Sequence, residues 1–465
     1  VGDLRENFDP HRPYIDELSW SCGECGGEMR RHLSVLDVWF DSGAMPYAQW
    51  HWPHENDEAF RNHFPADFIC EALDQTRGWF YSLVAIATML DMGLPFRNVI
   101  VSEMILDAEG QKMSKSKGNV VNPWDAISQF GIDPLRWYLI TVSNPWITKR
   151  YDPAGVREAS RKFFDTVMNT YQFFALYGNV EEWIPGDEDP EPLERTVLDR
   201  WLLSRLHRVV DVVGHELGGY QLTAAYRAVV EFVNEDLSNW FVRRSRPRFW
   251  GNTNSRDARA AFRTLWDALL IIARLAAPVT PFFADWLHRS LTGGDSAHLA
   301  PFPSPDPKLL DAELEREMAT VRTLVSLGRA AREEVRIRVR QPLRMLHVVL
   351  TDAQEAPRPE LLAVLKDELN VKEVVFLESA HEIVRLVAHP NFRTLGPRFQ
   401  KKSESAAQAI RELDSEVLRA FHSCEKILIT VDGENVRLES DWLEVTESAA
   451  GDLLVKSYDG HTVVL

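Results

Sequence analysis

The segment from about Pro65 to Leu139 constrains the fold most, because its hydrophobic period changes twice within 75 residues. Short apolar runs at Asp67 to Leu73 and Asn98 to Ile105 read as strands, and Arg77 to Met92 between them carries helical spacing. Gly93 with Pro95 beyond it supplies the stop signal of that helix. A strand, a helix and a second strand in this order make a βα unit and demand a parallel sheet, whose crossover cannot be a hairpin. After the second strand, Asp107-Ala108-Glu109-Gly110 reads as a turn, followed by a polar loop of lysines and serines to Asn119. Pro123 and Pro134, behind Asn122 and Asp133, place two short helices next.

One βα sheet cannot absorb the whole chain. At roughly 150 residues per domain, 465 residues suggest about three domains. Residues 155 to 290 carry helical periodicity almost throughout, with Leu198, Leu202, Leu206, Val209 and Val213, then Phe262, Leu265, Leu269 and Ile272, as the core stripes. Within this helical module, residues 181 to 194 hold seven acids, no base and several prolines, and read as a solvated loop. Beyond about 310, a charged helix over Ala312 to Glu333 leads into an α+β pattern, with strands at Leu346 to Leu350 and Val374 to Phe376 around a helix at Leu361 to Glu368. The boundaries expected are 1–150, 151–310 and 311–465.

Apolar residues at 45% and charged residues at 26% exclude a disordered or fibrous chain. The apolar runs Trp79 to Leu90 and Ala268 to Ala277 fall short of the roughly 20 residues that span a bilayer, so no membrane role is expected. Cys22, Cys25, Cys70 and Cys424 are too few for a disulfide scaffold, which favours a reducing, cytoplasmic compartment. The net charge of -17 repels a polyanion overall, so any nucleic-acid contact must come from a local cluster of bases. The opening at Val1 without Met and the ending in Val463-Val464-Leu465 lead us to expect a fragment.

Four segments carry chemistry. Lys112-Met113-Ser114-Lys115-Ser116-Lys117-Gly118-Asn119 sets three ammonium groups on small neighbours directly after a strand, suited to a polyphosphate. A solvated basic loop is the alternative. Glu71-Ala72-Leu73-Asp74-Gln75-Thr76-Arg77-Gly78-Trp79-Phe80 lies at the carboxyl end of the first strand, where open α/β sheets collect ligands. Glu71, Asp74 and Gln75 could hold an ammonium group and ribose hydroxyls there, unless Asp74 and Gln75 only cap the helix. Asp37-Val38-Trp39-Phe40-Asp41-Ser42-Gly43 reads as an apolar run with a turn at Ser42-Gly43, its aromatics serving either core or site. Finally, Arg243, Arg244, Arg246, Arg248, Arg256, Arg259 and Arg263 stand against the single acid Asp257, with Phe249 and Trp250 between them. This island suits RNA phosphates and base stacking, or else is a solvated helix face over buried aromatics.

In this order, the segments resemble the class I aminoacyl-tRNA synthetases, whose second signature is the lysine loop; the Asp74 to Phe80 string is similar to the isoleucine-specific branch. The likeness continues through Phe241 to Trp250, Arg338 to Leu343 and Asn391 to Phe399, nearly the whole chain. It implies the second half of a Rossmann-type catalytic domain, then a helical anticodon-binding bundle, then a smaller α+β module truncated at its end. Glu71, Asp74 and Gln75 would contact isoleucyl-adenylate, Trp39 would wall the amino acid, and Lys112 and Lys115 would act on the phosphates of ATP, with Mg²⁺ there. Arg243, Arg244, Arg246 and Arg248 would meet tRNA(Ile). The resemblance also implies a monomer.

Two departures stand out. The family's His-x-Gly-His signature and an editing insert, both normally upstream, do not occur in the 465 residues, so isolated activity is not expected. Ala72 stands where the family usually has Gly, which puts a methyl group near the ligand. Cys22-Gly-Glu-Cys25 has the spacing of a zinc knuckle, but a structural Zn²⁺ takes four ligands. The resemblance makes the pair half of a four-cysteine site in a longer protein; inert thiols and a redox pair are the alternatives. His51 and His54 read as surface histidines. Competing functions are a non-catalytic RNA-binding module and a sister ligase for valine, leucine or methionine.

Overall fold

The computed structural model describes residues 9, 11–34, 37–250, 255–351, 355–378, 384–422, 426–449 and 454–465. Cys424 lies outside them. The chain forms two compact units, one taking in residues 1–165, 216–227 and 276–285, the other 166–215, 228–275 and 286–465.

The first unit opens with the hairpin β1 (Ser19–Ser21) and β2 (Glu28–Arg30), then α1 (Val38–Ala48) and α2 (Asp57–His63). β3 (Ala66–Ala72) and β4 (Phe96–Ser102) pair in parallel through α3 (Trp79–Met89), in the register Ile69 to Val99 and Ala72 to Ser102, as the change of period requires. Ile69 packs with Phe80 and Leu83 of α3 beneath the sheet. β5 (Ile105–Leu106) and β6 (Lys149–Arg150) form a second parallel pair, with α4 (Pro123–Phe130) and α5 (Ile132–Thr141) between them in sequence. Pro123 opens α4 behind the Asn122 cap. α5 begins two residues before Pro134, and Asp133 inside its first turn is buried, accepting a hydrogen bond from the Phe283 N–H at 2.7 Å. Residues 216–227 are tied to α5 by Thr223 and Arg227, which donate to the Ile140 and Thr141 carbonyls at 2.7 and 2.8 Å.

One expectation fails in this unit. Ser42 and Gly43 do not turn; they lie inside α1, whose Asp37 cap accepts from the Trp39 N–H at 2.9 Å. The glycine serves packing instead: a Cβ on Gly43 would sit 2.8 Å from the Ser82 backbone, so its absence lets α1 close on α3.

The helices α6 (Pro153–Ser160), α7 (Thr166–Val180), α8 (Val197–Gly218), α9 (Leu222–Glu231), the short α10 (Arg243–Ser245), α11 (Arg256–Ala276) and α12 (Pro281–Thr292) bear out the helical stretch. All nine apolar residues of the two stripes on α8 and α11 are buried. Phe232–Val242 is π-helical, a local widening to which a 3.6-residue pattern is blind. In the second unit α13 (Ala312–Glu334) leads to β7 (Leu343–Val349), α14 (Pro359–Leu369) and β8 (Val371–Leu377), a second βα crossover with β7 and β8 parallel. β9 (Val384–Pro390), α15 (Phe392–Phe399), α16 (Ser403–Arg411), α17 (Ser415–His422), β10 (Leu428–Val431), β11 (Glu434–Arg437), β12 (Leu443–Ala449), β13 (Val455–Tyr458) and β14 (His461–Val464) follow. The four-stranded sheet runs β13, β14, β7, β8, and Leu395, Ala407, Ile410 and Trp442 centre a separate apolar core.

The acidic stretch is a largely exposed loop, as expected, but it is pinned at two points. Trp183 stacks on Phe262 with centroids 5.6 Å apart, and the Asp189 side chain, only 2% exposed, pairs with Arg259 at 2.8 Å. Its charge is neutralised by bases more than 60 residues downstream, which the local composition does not reveal.

Candidate active site

The two candidate motifs leave the carboxyl ends of strands in two parallel pairs, the acidic segment after β3 of the β3–β4 pair and the lysine loop after β5 of the β5–β6 pair. Glu71 and Ala72 close β3 beside Val101 and Ser102 of β4. Beyond Ala72 the chain tightens into a 3₁₀ turn, Leu73–Arg77, before α3. Glu71 and Asp74 are exposed and form no ion pair with a described residue. Gln75 is partly engaged, its Oε1 accepting from the Trp79 N–H at 3.0 Å and its Nε2 donating to Asp74 at 3.2 Å. The helix-capping alternative therefore holds for the Gln75 oxygen. Trp39 is brought to the same edge, its ring 3.3 Å from where a Gly78 Cβ would lie, and is 40% exposed. The Trp79 indole N–H donates to the Ser42 carbonyl at 3.1 Å and locks α1 to α3. Ala72 has extended dihedrals that need no glycine.

β4 runs through Glu103 and Met104 into β5, and the lysine loop follows. At its base β5 pairs with β6 through Lys149 and Arg150, and the buried Lys149 Nζ donates to the Ser143 and Asn144 carbonyls at 2.9 and 2.5 Å, which holds the turn before β6. Burial pushes the Lys149 pKa down. Within the loop, Lys115–Lys117 form a 3₁₀ turn capped by Ser114, whose Oγ accepts from the Lys117 N–H at 3.3 Å. Gly118 ends the turn at φ +68°, a left-handed conformation that a side chain would strain. Lys112, Lys115 and Lys117 are exposed, and among the described residues none has a carboxylate partner.

Asp107 is buried at the loop's start, accepting from the Gln111 N–H at 2.6 Å and from Asn119 Nδ2 at 2.7 Å. The Asn119 bond, with the Gln111 bond behind it, holds the Asp107 carboxyl below its usual range. Sequence reasoning took Asp107 as a turn residue and gave Asn119 no role. The signal for the pair was an Asp at the strand end and an Asn closing the loop, each a side chain that readily bonds local backbone.

The arginine island is a different case. Glu368 of α14, whose side chain is 2% exposed, receives Arg243 at 2.8 Å, Arg244 at 2.5 Å, and Arg329. Burial alone would raise its pKa, but the guanidinium groups outweigh that and hold it below the carboxylate norm. Arg248 grips Asp199, which is fully buried, at 2.7 Å and Asp257 at 2.9 Å. Arg263 is shared between Asp267 at 3.0 Å and Asp189 at 3.5 Å. Of the four arginines singled out for tRNA, Arg243 and Arg246 are exposed, and only Arg246 makes no ion pair with a described residue. Trp250 beside it is 52% exposed.

Cys22 and Cys25 sit on the β1–β2 hairpin, closed by the Cys22 N–H to Gly27 carbonyl bond at 2.8 Å. Backbone N–H groups of Cys25 and Glu24 hold the Cys22 thiol below its usual pKa. Among the described residues, no third His, Cys, Asp or Glu joins them.

Residues 5–148 match the family of class I tRNA synthetases (I, L, M and V), and residues 199–350 match the anticodon-binding domain of tRNA ligase. The chain is 43% identical over 468 residues to the isoleucine–tRNA ligase of Porphyromonas gingivalis, covering 99% of this chain and 41% of that protein. It is also 43% identical over 470 residues to the Thermus thermophilus ligase of the same name, with 99% and 45% covered. The LeuRS of Agrobacterium radiobacter K84, solved in a ternary complex with tRNA and LeuAMS, shares the fold at a TM-score of 0.52 and 17% identity, over 77% of this chain and 43% of that one. The chain thus spans less than half the length of these relatives. It carries a class I tRNA synthetase domain segment followed by an anticodon-binding domain of the tRNA ligases.

Proposed function

We propose that this chain serves an isoleucine–tRNA ligase, which activates isoleucine with ATP and passes it to tRNA(Ile). One observation carries the reading: exposed carboxylates stand at the carboxyl end of β3 and exposed lysines beyond that of β5, each a parallel-paired strand, and among the described residues neither set is spent in an ion pair. In the activation step the isoleucine carboxylate attacks the α-phosphate, the bond to the β-phosphate bridging oxygen breaks, and pyrophosphate leaves. No side-chain base is needed, since the nucleophile is already ionised. Lys112 and Lys115 would stabilise charge on the phosphates, while Glu71, Asp74 and the free part of Gln75 hold the ammonium group and ribose, and Trp39 walls the side chain. The described residues contain no cluster that would cage a metal, which fits Mg²⁺ carried in on the phosphates with few protein ligands. When bound, it would neutralise phosphate charge.

The division into modules 1–150, 151–310 and 311–465 belongs to the same proposal, as do a cytoplasmic location and a monomeric state. Among the described residues no helix is long and apolar enough to cross a membrane. The Cys22–Cys25 knuckle offers two of the four ligands of a zinc site, the rest coming from outside the described residues. Isoleucine-dependent exchange between ATP and pyrophosphate, measured on the gene's complete product, tests the reading; a preference for valine, leucine or methionine would overturn it. Calorimetry of the 465-residue chain with an anticodon stem-loop and with an isoleucyl-adenylate analogue tests the two sites separately. Stem-loop binding without any exchange would instead support an RNA-binding module.

A further inference from the structure

We propose that Asn119 is a positioning residue that sets the lysine loop in register to stabilise the charge developing on the leaving phosphates; this rests on the reading above. Three like charges on a short segment repel one another, and no acid among the described residues gathers them. Yet the loop has a defined shape, and one amide supplies it. Asn119 Oδ1 accepts from the Ser114 N–H at 2.9 Å, while its Nδ2 donates to the Lys112 carbonyl at 3.2 Å and to the Asp107 carboxylate at 2.7 Å. The orientation of the amide is forced, because Ser114 offers only a donor there and the other two only acceptors.

The three bonds reach both lysines through the main chain. Lys112 is held at its own carbonyl. Ser114, fixed by its N–H, caps with its hydroxyl the turn that begins at Lys115. Asp107, buried at the end of β5 and bonded also to the Gln111 N–H, anchors the assembly to the strand. The amide supplies one acceptor and two donors at once, matching all three partners. Aspartate would lose the donors and set a second carboxylate against Asp107; alanine would lose every bond.

The test has two arms. In the complete gene product, Asn119→Ala lowers the exchange kcat by up to about 10²-fold, as a misplaced catalytic group does, with the isoleucine KM within about twofold. Combined with Lys115→Ala it adds almost nothing to the loss caused by Lys115→Ala alone, since both remove the same placed charge. Fully additive losses, or an unchanged kcat, would overturn the proposal. In the 465-residue chain, hydrogen exchange expects Ser114 and Lys117 to lose protection in Asn119→Ala, with the melting temperature kept and Asn119→Asp no better; retained protection would overturn it too. A wild-type protein without isoleucine-dependent exchange would sink the ligase reading instead, and the Ser114 amide would still decide the brace.

Discussion

The lysine loop and the arginine island look alike as strings of letters, and the structure gives them opposite fates. In the first, three bases have no acid to meet among the described residues, so their charge stays available to a ligand. In the second, Arg243, Arg244, Arg248, Arg259 and Arg263 are consumed by Glu368, Asp199, Asp257, Asp189 and Asp267. The difference lies in chemistry as well as position. A guanidinium forks onto carboxylates and tolerates burial, whereas an ammonium is strongly hydrated and, on an exposed loop, stays in water until a phosphate replaces that water. A basic cluster in sequence therefore measures total charge; only the tertiary partners decide how much is free.

The sharpest way to break the comparison is to remove the acid at the hub of the island. Glu368→Ala leaves Arg243, Arg244 and Arg329 without their common partner, and since only Arg244 is well covered the loss is about 1–3 kcal/mol. Thermal or urea unfolding of the 465-residue chain should register that loss; a variant as stable as the parent would mean that the arginines are not structural. Acid should mimic the mutation. Because the folded Glu368 carboxyl titrates below its usual 4.5, its contribution is present above about pH 4.5 and is lost as pH falls through the lower folded value. The Glu368→Gln protein should lack that part of the acid transition.

The opposite outcome belongs to the loop. Lys115→Ala should leave unfolding unchanged, since Lys115 is exposed and unpaired, and lower isoleucine-dependent exchange by about 10²–10³-fold, the usual cost of one preorganised charge. Binding of tRNA should barely respond. An unchanged exchange rate would remove Lys115 from the reaction.

The two regions also mark what was legible beforehand. The parallel pair, the helical stripes and the α14 crossover follow from local periodicity, and their boundaries fall within a few residues of expectation: Leu361 to Glu368 became Pro359–Leu369. The edge residues were legible because strand ends and loops carry their own composition. What escaped was every feature decided across sequence distance. Gly43 reads as a turn until Ser82 is known to press on it, Asp189 reads as solvated until Arg259 reaches it, and Arg243 reads as free until Glu368, 125 residues on, is found beneath it. Asn119 was hidden for a smaller reason: its partners lie within 12 residues, but only the backbone geometry of the loop shows that one amide meets them all.

The smallest effect separates free from spent charge within the island itself. Arg246 is exposed, lacks an ion pair with any described residue and stands near exposed Trp250, so it is the guanidinium with charge to offer a phosphate. Replacing it with alanine removes one such contact, which should lower the slope of log binding constant against log salt by roughly 0.7–0.9 for an anticodon stem-loop of tRNA(Ile) and leave unfolding unchanged. Arg243→Ala with Arg244→Ala should do the reverse, costing stability while the salt slope holds, because their charge already belongs to Glu368. If instead the double variant flattens the slope and Arg246→Ala does not, the buried pairs must open when RNA arrives, and pairing in the free protein would no longer tell which bases the RNA meets.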